Sequence, residues 1–258
     1  MPTPRFELIP AIDLLEGRCV RLAQGDYQRA TVYGDDPGAV AARFCEAGAR
    51  RIHVVDLDGA RSGRATNGAA LAAILTATRA AGVPVQLGGG LRSLAAVEAA
   101  LAAGVERAIL GTAALRDPEL VRAAAARFPG RIAVGLDARD GRVAVSGWLE
   151  TSETTAAEAA RLFADAGVAA LIYTDIARDG MGSGPDLDGA AALAAAVPIP
   201  VIASGGVGSL AHVRAAVARA KDGVAGLIVG RALYTGAVDL AAALEIAGAS
   251  AQEHPTCC

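Results

Sequence analysis

The sequence predicts an α/β protein built as a single (β/α)₈ TIM barrel with an internal two-fold duplication of half-barrels. Three observations carry this. The chain has 258 residues, close to the roughly 250 of a one-domain barrel. Eight short runs rich in β-branched residues alternate with alanine-rich stretches, and such alternation implies a parallel sheet. Landmarks in the first half recur in the second, in the same order and at nearly one offset.

The expected strands, in order, are LIPAID (8–13), RIHVVDLD (51–58), VPVQLGG (83–89) and RAILGT (107–112), then RIAVGLDA (131–138), ALIYTDI (170–176), IPVIASGG (199–206) and GLIVGRA (226–232). Between them, SLAAVEAALAAG and TTAAEAARLFADAG read as helices opened by Ser or Thr and closed by Gly. Apolar residues make up 53% of the chain but aromatics only 3%, so the core must be packed from Ala, Val, Leu and Ile.

The repeat extends over both halves. Asp13 in PAIDL and Asp137 in VGLDA are 124 positions apart; Asp56 and Asp175 are 119 apart; Gly89 and Gly205 are 116 apart; Gly111 and Gly230 are 119 apart. A duplication explains this, with half-barrels at about 8–128 and 129–248 inside a barrel spanning 1–250, followed by a polar tail at 251–258.

Composition excludes several function classes. A formal charge of −3 argues against a nucleic-acid surface, which needs a basic patch. No apolar run reaches the length of a membrane span and no secretory leader is evident, so a cytoplasmic protein is expected. Cys19, Cys45, Cys257 and Cys258 lack metal-ligand spacing and are expected as reduced thiols. His53, His212 and His254 are scattered singly, so no metal site is expected.

The glycines carry more chemistry. A Gly-rich strand end leading into a helix lets backbone N–H groups converge on an oxyanion. Gly89 and Gly90 pair with Gly111 and Thr112 in one half; Gly205 and Gly206 pair with Gly230 and Arg231 in the other. A lone GGG could be only a tight turn. Two matching pairs at the C-terminal ends of barrel strands, where barrel enzymes keep their sites, describe a small molecule with a phosphate at each end. Asp13 and Asp137 end strands that lie four apart in eight, and so face each other across the mouth. One carboxylate on each side of a substrate suits a base and an acid if their environments push their pKa values apart. Thr174 and Asp179 join them from the sixth strand and its loop.

The runs IPAIDLLEGRCVRLAQGDYQRATVY, LGGGLR, GLDARDGRVAVSGW, YTDIARDGMGSGPD and IASGGVGSL resemble the histidine-biosynthesis isomerase family acting on N′-(5′-phosphoribosyl)formimino-5-aminoimidazole-4-carboxamide ribonucleotide. The similarity spans residues 8 to about 246. It implies an Amadori rearrangement of an aminoaldose to an aminoketose, without metal or organic cofactor. Carried over by motif, Asp13 is the base that removes the sugar C2 proton and Asp137 the acid that helps open the ribose ring. Thr174 lies between them, Arg21 and Arg92 contact substrate, and Trp148, the single tryptophan, stacks on the imidazole.

Two relatives share this scaffold. The cyclase subunit of imidazole glycerol phosphate synthase reads closer to PCLDV and VKG where this chain has AIDL and VRL. The bifunctional isomerase that also takes phosphoribosylanthranilate carries an arginine two positions before the loop tryptophan, where this chain has Ser146; the second activity is therefore not expected. A non-catalytic phosphosugar-binding barrel is the remaining alternative, and retention of both Asp13 and Asp137 argues against it. The protein is expected to act as a monomer.

Overall fold

In the computed structural model, which describes residues 6–145, 148 and 150–249, eight parallel strands hydrogen-bond into a closed ring. They are β1 (Glu7–Leu15), β2 (Ile52–Asp56), β3 (Val85–Gly88), β4 (Arg107–Leu110), β5 (Ile132–Arg139), β6 (Ala170–Asp175), β7 (Val201–Ser204) and β8 (Val224–Val229). β1 pairs with β8 through Ile9 and Ile228 and with β2 through Asp13 and Val55. On the opposite side of the ring, β5 pairs with β4 and β6, with Ala133 level with Ile109 and Ala170.

Strand periodicity sets what lies inside. Successive side chains point to opposite faces, so Ile9 and Ala11 of β1, Ala133 of β5 and Ile172 of β6 join Ile109, Ala170, Ile202 and Ile228 in the barrel interior. The alternate set, including Ile12, Leu14, Val54, Val134 and Leu171, packs outward under the helices. Followed two residues at a time toward the C-terminal ends, the inward face changes from apolar to polar: Asp13 follows Ala11, Asp137 follows Gly135, and Thr174 follows Ile172. The interior thus serves as the floor of a polar mouth.

Helices close the outside. Ser93 caps Leu94–Ala103, which ends at Gly104 in the left-handed region, φ 112°. Thr155 and Glu158 form a reciprocal capping box on Ala156–Arg161. That helix is shorter than TTAAEAARLFADAG suggests, because the chain passes into turns after Arg161. Aspartates cap more helices than the sequence reading allowed for: Asp36, Asp56, Asp117 and Asp186 each accept the amide hydrogen three residues on.

Strand ends also shift. Gly89, Gly111, Thr112, Gly205, Gly206, Gly230 and Arg231 fall beyond their strands, and Leu57 and Asp58 begin a helix. Two antiparallel hairpins, absent from the eight-strand reading, extend the ends of equivalent strands. Arg18–Ala23 and Asp26–Gly34 fold back on β1, and Arg142–Val145 and Glu150–Thr155 fold back on β5. No helix among the described residues is long and apolar enough to cross a membrane. Cys19 and Cys45 are free thiols. Ser146, His254, Cys257, Cys258 and the 251–258 tail lie outside the described residues.

Candidate active site

The hairpin after β1 turns Arg21 back onto the strand it left. Arg21 Nη1 donates to Asp13 Oδ2 at 2.7 Å, and Nη2 donates to the Ala11 carbonyl. Both side chains are largely removed from water, 11% and 15% exposed for Arg21 and Asp13, so this pair is only weakly screened. Burial pushes the Asp13 carboxyl up, while the Arg21 charge and hydrogen bond pull against that rise.

The second carboxylate has a neighbour of another kind. Trp148, from the loop of the β5 hairpin, donates its indole Nε1–H to Asp137 Oδ2 at 2.7 Å. Thr174, level with Asp137 on adjacent β6, supplies a second side-chain hydrogen bond. Burial raises the Asp137 carboxyl; these two neutral donors lower it, and no cation figures among the causes. The duplicated sites are therefore alike in backbone and different in charge.

Asp179, in the loop after β6, completes the acidic group. Its carboxyl is pushed up to about 6, first by burial and then by the nearby Asp13 charge, with Arg21 opposing and Asp137 adding to the rise. His53 lies inside the barrel, level with Ala11. Burial and the Arg21 charge push its imidazole down to about 3, so it is neutral at physiological pH. Gln86 donates to His53 Nδ1 at 3.0 Å, fixing the tautomer with hydrogen on Nε2. Sequence reading treated His53 as an ordinary barrel histidine; its neighbours become evident only when β1, β2 and β3 are set side by side.

The two glycine loops obey the same local rule. Gly89 and Gly90 have φ of 97° and 76°, and Gly205 and Gly206 have 88° and 80°, a region that side chains with a Cβ rarely occupy. A Cβ at Gly89 would overlap the Asp56 carbonyl oxygen, and one at Gly205 would lie 2.9 Å from that of Asp175. Asp56 and Asp175 are themselves equivalent by the repeat, so the same close backbone approach occurs once in each half. Both also bind amides of their own loops: Asp56 accepts from Gly59 at 2.8 Å and Asp175 from Ala177 at 3.0 Å. Beside the glycines, the short helices Thr112–Arg116 and Arg231–Tyr234 begin without a side-chain cap.

The arginines are less uniform than their shared reading as substrate contacts. Arg21 is engaged with Asp13. Arg92 is exposed and donates to the Ala60 carbonyl at 2.7 Å. Arg231 is exposed and donates to the Gly180 carbonyl. Trp148 has a positive φ of 73°, and its ring fills the space that a Cβ at Gly25 would need. The β1 and β5 hairpins therefore touch each other over the mouth, a contact between distant segments that carries no local sequence signal.

Comparison with known proteins places this geometry in context. The model of the family described as "Histidine biosynthesis protein" matches residues 7–239. A protein of Methylocella silvestris named 1-(5-phosphoribosyl)-5-((5-phosphoribosylamino)methylideneamino) imidazole-4-carboxamide isomerase is 59% identical over 239 residues, covering 93% of this chain and 96% of that protein. Relatives with the same name in Rhodospirillum rubrum and Bradyrhizobium diazoefficiens are 58% and 57% identical, each over 93% of this chain and over 98% and 95% of their own length.

Proposed function

The chain belongs to the histidine biosynthesis protein family, and from that premise we propose that it is an aldose–ketose isomerase performing the Amadori rearrangement of a bisphosphorylated aminoaldose. The substrate is the one named for its relatives: an imidazole carboxamide ribonucleotide joined through a formimino link to a second phosphoribosyl group. The single observation that carries the reading is the unequal pairing of two equivalent aspartates, Asp13 with a cation and Asp137 with neutral donors.

That inequality divides the work. Arg21 favours the ionised form of Asp13, which suits a base; Asp137 has no such cation, and burial favours its protonated form, which suits an acid. Asp137 gives its proton to the ribose ring oxygen as the C1–O bond breaks and the nitrogen lone pair forms C1=N. Asp13 then removes the C2 proton, and the C–H electrons form C1=C2 while nitrogen recovers its pair. Return of a proton to C1, with loss of the C2 hydroxyl proton, gives the aminoketose. Atoms and electrons balance without a redox partner.

The remaining residues bind and orient. Thr174 steadies the Asp137 carboxyl, Trp148 stacks on the imidazole, and Asp179 contacts the sugar between the two catalytic carboxylates. One phosphate is held by Gly89, Gly90, Gly111 and Thr112, with Arg92 nearby, and the other by Gly205, Gly206, Gly230 and Arg231. The matched positive φ of Gly89 and Gly90 in one half and Gly205 and Gly206 in the other supports this. The monomer is read as the working unit, and a biosynthetic step on phosphorylated intermediates fits the cytoplasm. The half-barrels at about 8–128 and 129–248 are read as products of one duplication.

Turnover of the purified protein with the imidazole aminoaldose and the anthranilate aminoaldose in parallel tests the reading. The first is converted and the second essentially is not. Comparable kcat/KM for both would replace this assignment with the bifunctional one, and binding without turnover of either would indicate a phosphosugar-binding barrel.

A further inference from the structure

We infer that Tyr234 is a positioning residue whose ring holds the Arg21 guanidinium against the Asp13 carboxylate. The inference rests on the reading of Asp13 as the base. Three contacts converge on that guanidinium. Arg21 Cζ lies 5.2 Å from the centroid of the Tyr234 ring, within the range of a cation–π attraction. The Tyr234 hydroxyl donates at 3.0 Å to the Ala11 carbonyl, the acceptor that Arg21 Nη2 also uses. Ring and guanidinium are thus pinned to one point of β1, two residues before Asp13. Gly230 leaves the space the guanidinium occupies: a Cβ there would lie 2.7 Å from Cζ and 2.8 Å from each Nη of Arg21.

The duplication supplies an internal control. At the 119-residue offset that relates Gly111 to Gly230, the counterpart of Tyr234 is Leu115. At the 124-residue offset that relates Asp13 to Asp137, the counterpart of Arg21 is Val145. A Cβ at Gly111 would meet nothing within 4 Å. Ring and cation occur together at one site and both are missing from the other, where the equivalent Gly111 faces open space instead of a guanidinium. Tyr234 also packs on Tyr33 and Phe44, with centroids 5.2 and 6.0 Å away. That packing accounts for an aromatic residue but not for its coincidence with Arg21.

The charges around the pair fix the sign of the effect. Arg21 is the cation acting on Asp13. Asp179, Cys19, Tyr27 and Tyr234 are the other titratable groups that share its field, and His53 shares that of Arg21. A guanidinium released from its place stabilises the Asp13 anion less, so the Asp13 pKa rises and the base is ionised only at higher pH.

The test is the titration of the Asp13 side-chain carbonyl carbon by ¹³C NMR in the full chain without substrate, with thermal unfolding to establish that each variant is folded. Tyr234→Leu raises the Asp13 midpoint by about one pH unit, and the acid limb of kcat/KM moves with it, a roughly tenfold loss below that limb. Tyr234→Phe, which keeps the ring, moves it less than half as far. Gly230→Ala, which crowds the guanidinium directly, moves it in the same direction as Tyr234→Leu. If Tyr234→Leu does not fold, Tyr234→Met, closer in volume, takes its place with the same expectation. An unmoved Asp13 midpoint in a folded Leu or Met variant overturns the inference, as does an equal shift in the Phe variant. The titration needs no turnover, so failure of the isomerase reading registers separately, as an inactive wild-type protein.

Discussion

Asp13 and Asp137 stand at equivalent positions, each two residues before the last residue of β1 and β5 rather than at the strand end, and differ in the charge of their neighbours. Arg21 meets one at 2.7 Å and the Trp148 indole meets the other at 2.7 Å. Changing either to Asn preserves shape and hydrogen-bonding capacity but removes the proton-transfer group, so Asp13→Asn and Asp137→Asn should each lower kcat by about 100-fold or more. Substrate affinity, measured by isothermal titration calorimetry, should stay near that of the wild type. Near-normal turnover in either variant would make its carboxylate structural. Asp179 makes a prediction about stability. Its carboxyl sits at about 6 against an ordinary 3.8, so the folded protein holds a proton that the unfolded chain releases. This favours folding fully below about pH 4, fades as pH rises through 6, and leaves a deficit on the order of 2–3 kcal/mol at pH 7. Asp179→Asn should therefore be more stable relative to wild type at pH 7 than at pH 4, as measured by urea unfolding. A pH-independent difference would contradict the burial of that charge. The aspartate pair was legible in the sequence because both end apolar runs. The Arg21 pairing was not, because it depends on a hairpin folding back, and neither was the burial of Asp179 beside two other acids.

At the scale of elements, the eight strands could be read from their apolar runs, while their ends could not. Gly89, Gly205 and Gly206 look like strand residues but leave the ladder, since a positive φ is incompatible with an extended strand. The hairpins were missed because Asp26–Gly34 is mostly exposed and Glu150–Thr155 is polar throughout, while Arg18–Ala23 and Arg142–Val145, which bury Cys19, Val20 and Val143, are too short to read apart from the strands they fold back on. The glycine loops were singled out for phosphate binding; in the structure their first requirement is local, Gly89 lying against the Asp56 backbone and Gly205 against that of Asp175. Gly89→Ala should therefore destabilise the protein by about 2 kcal/mol or more, from the strained φ and the backbone overlap together. Gly68, at the start of the helix Gly68–Ala80, has no positive φ, and a Cβ there would meet nothing within 4 Å. Gly68→Ala should stabilise by roughly 0.5 kcal/mol. Equal effects of the two substitutions in thermal unfolding would remove backbone approach as the reason for glycine at 89.

Closure of the ring sets β1 opposite β5 and brings the repeated landmarks of the sequence face to face. The offsets of 116 to 124 between paired landmarks revealed the repeat, and closure was legible from the count of strands. The breaking of symmetry was not, because Arg21, Trp148 and Tyr234 act through contacts between segments distant in the chain. The account at this scale is one elongated ligand spanning two related loops, with the chemistry between two carboxylates of unlike character. A crystal structure of the Asp13→Asn protein with the bisphosphorylated imidazole aminoaldose tests this most directly. One phosphate should lie against Gly89 and Thr112 and the other against Gly205 and Arg231, with the sugar C2 facing residue 13 and the ring oxygen facing Asp137. A ligand held by only one of these loops, or bound at the N-terminal face of the barrel, would contradict it.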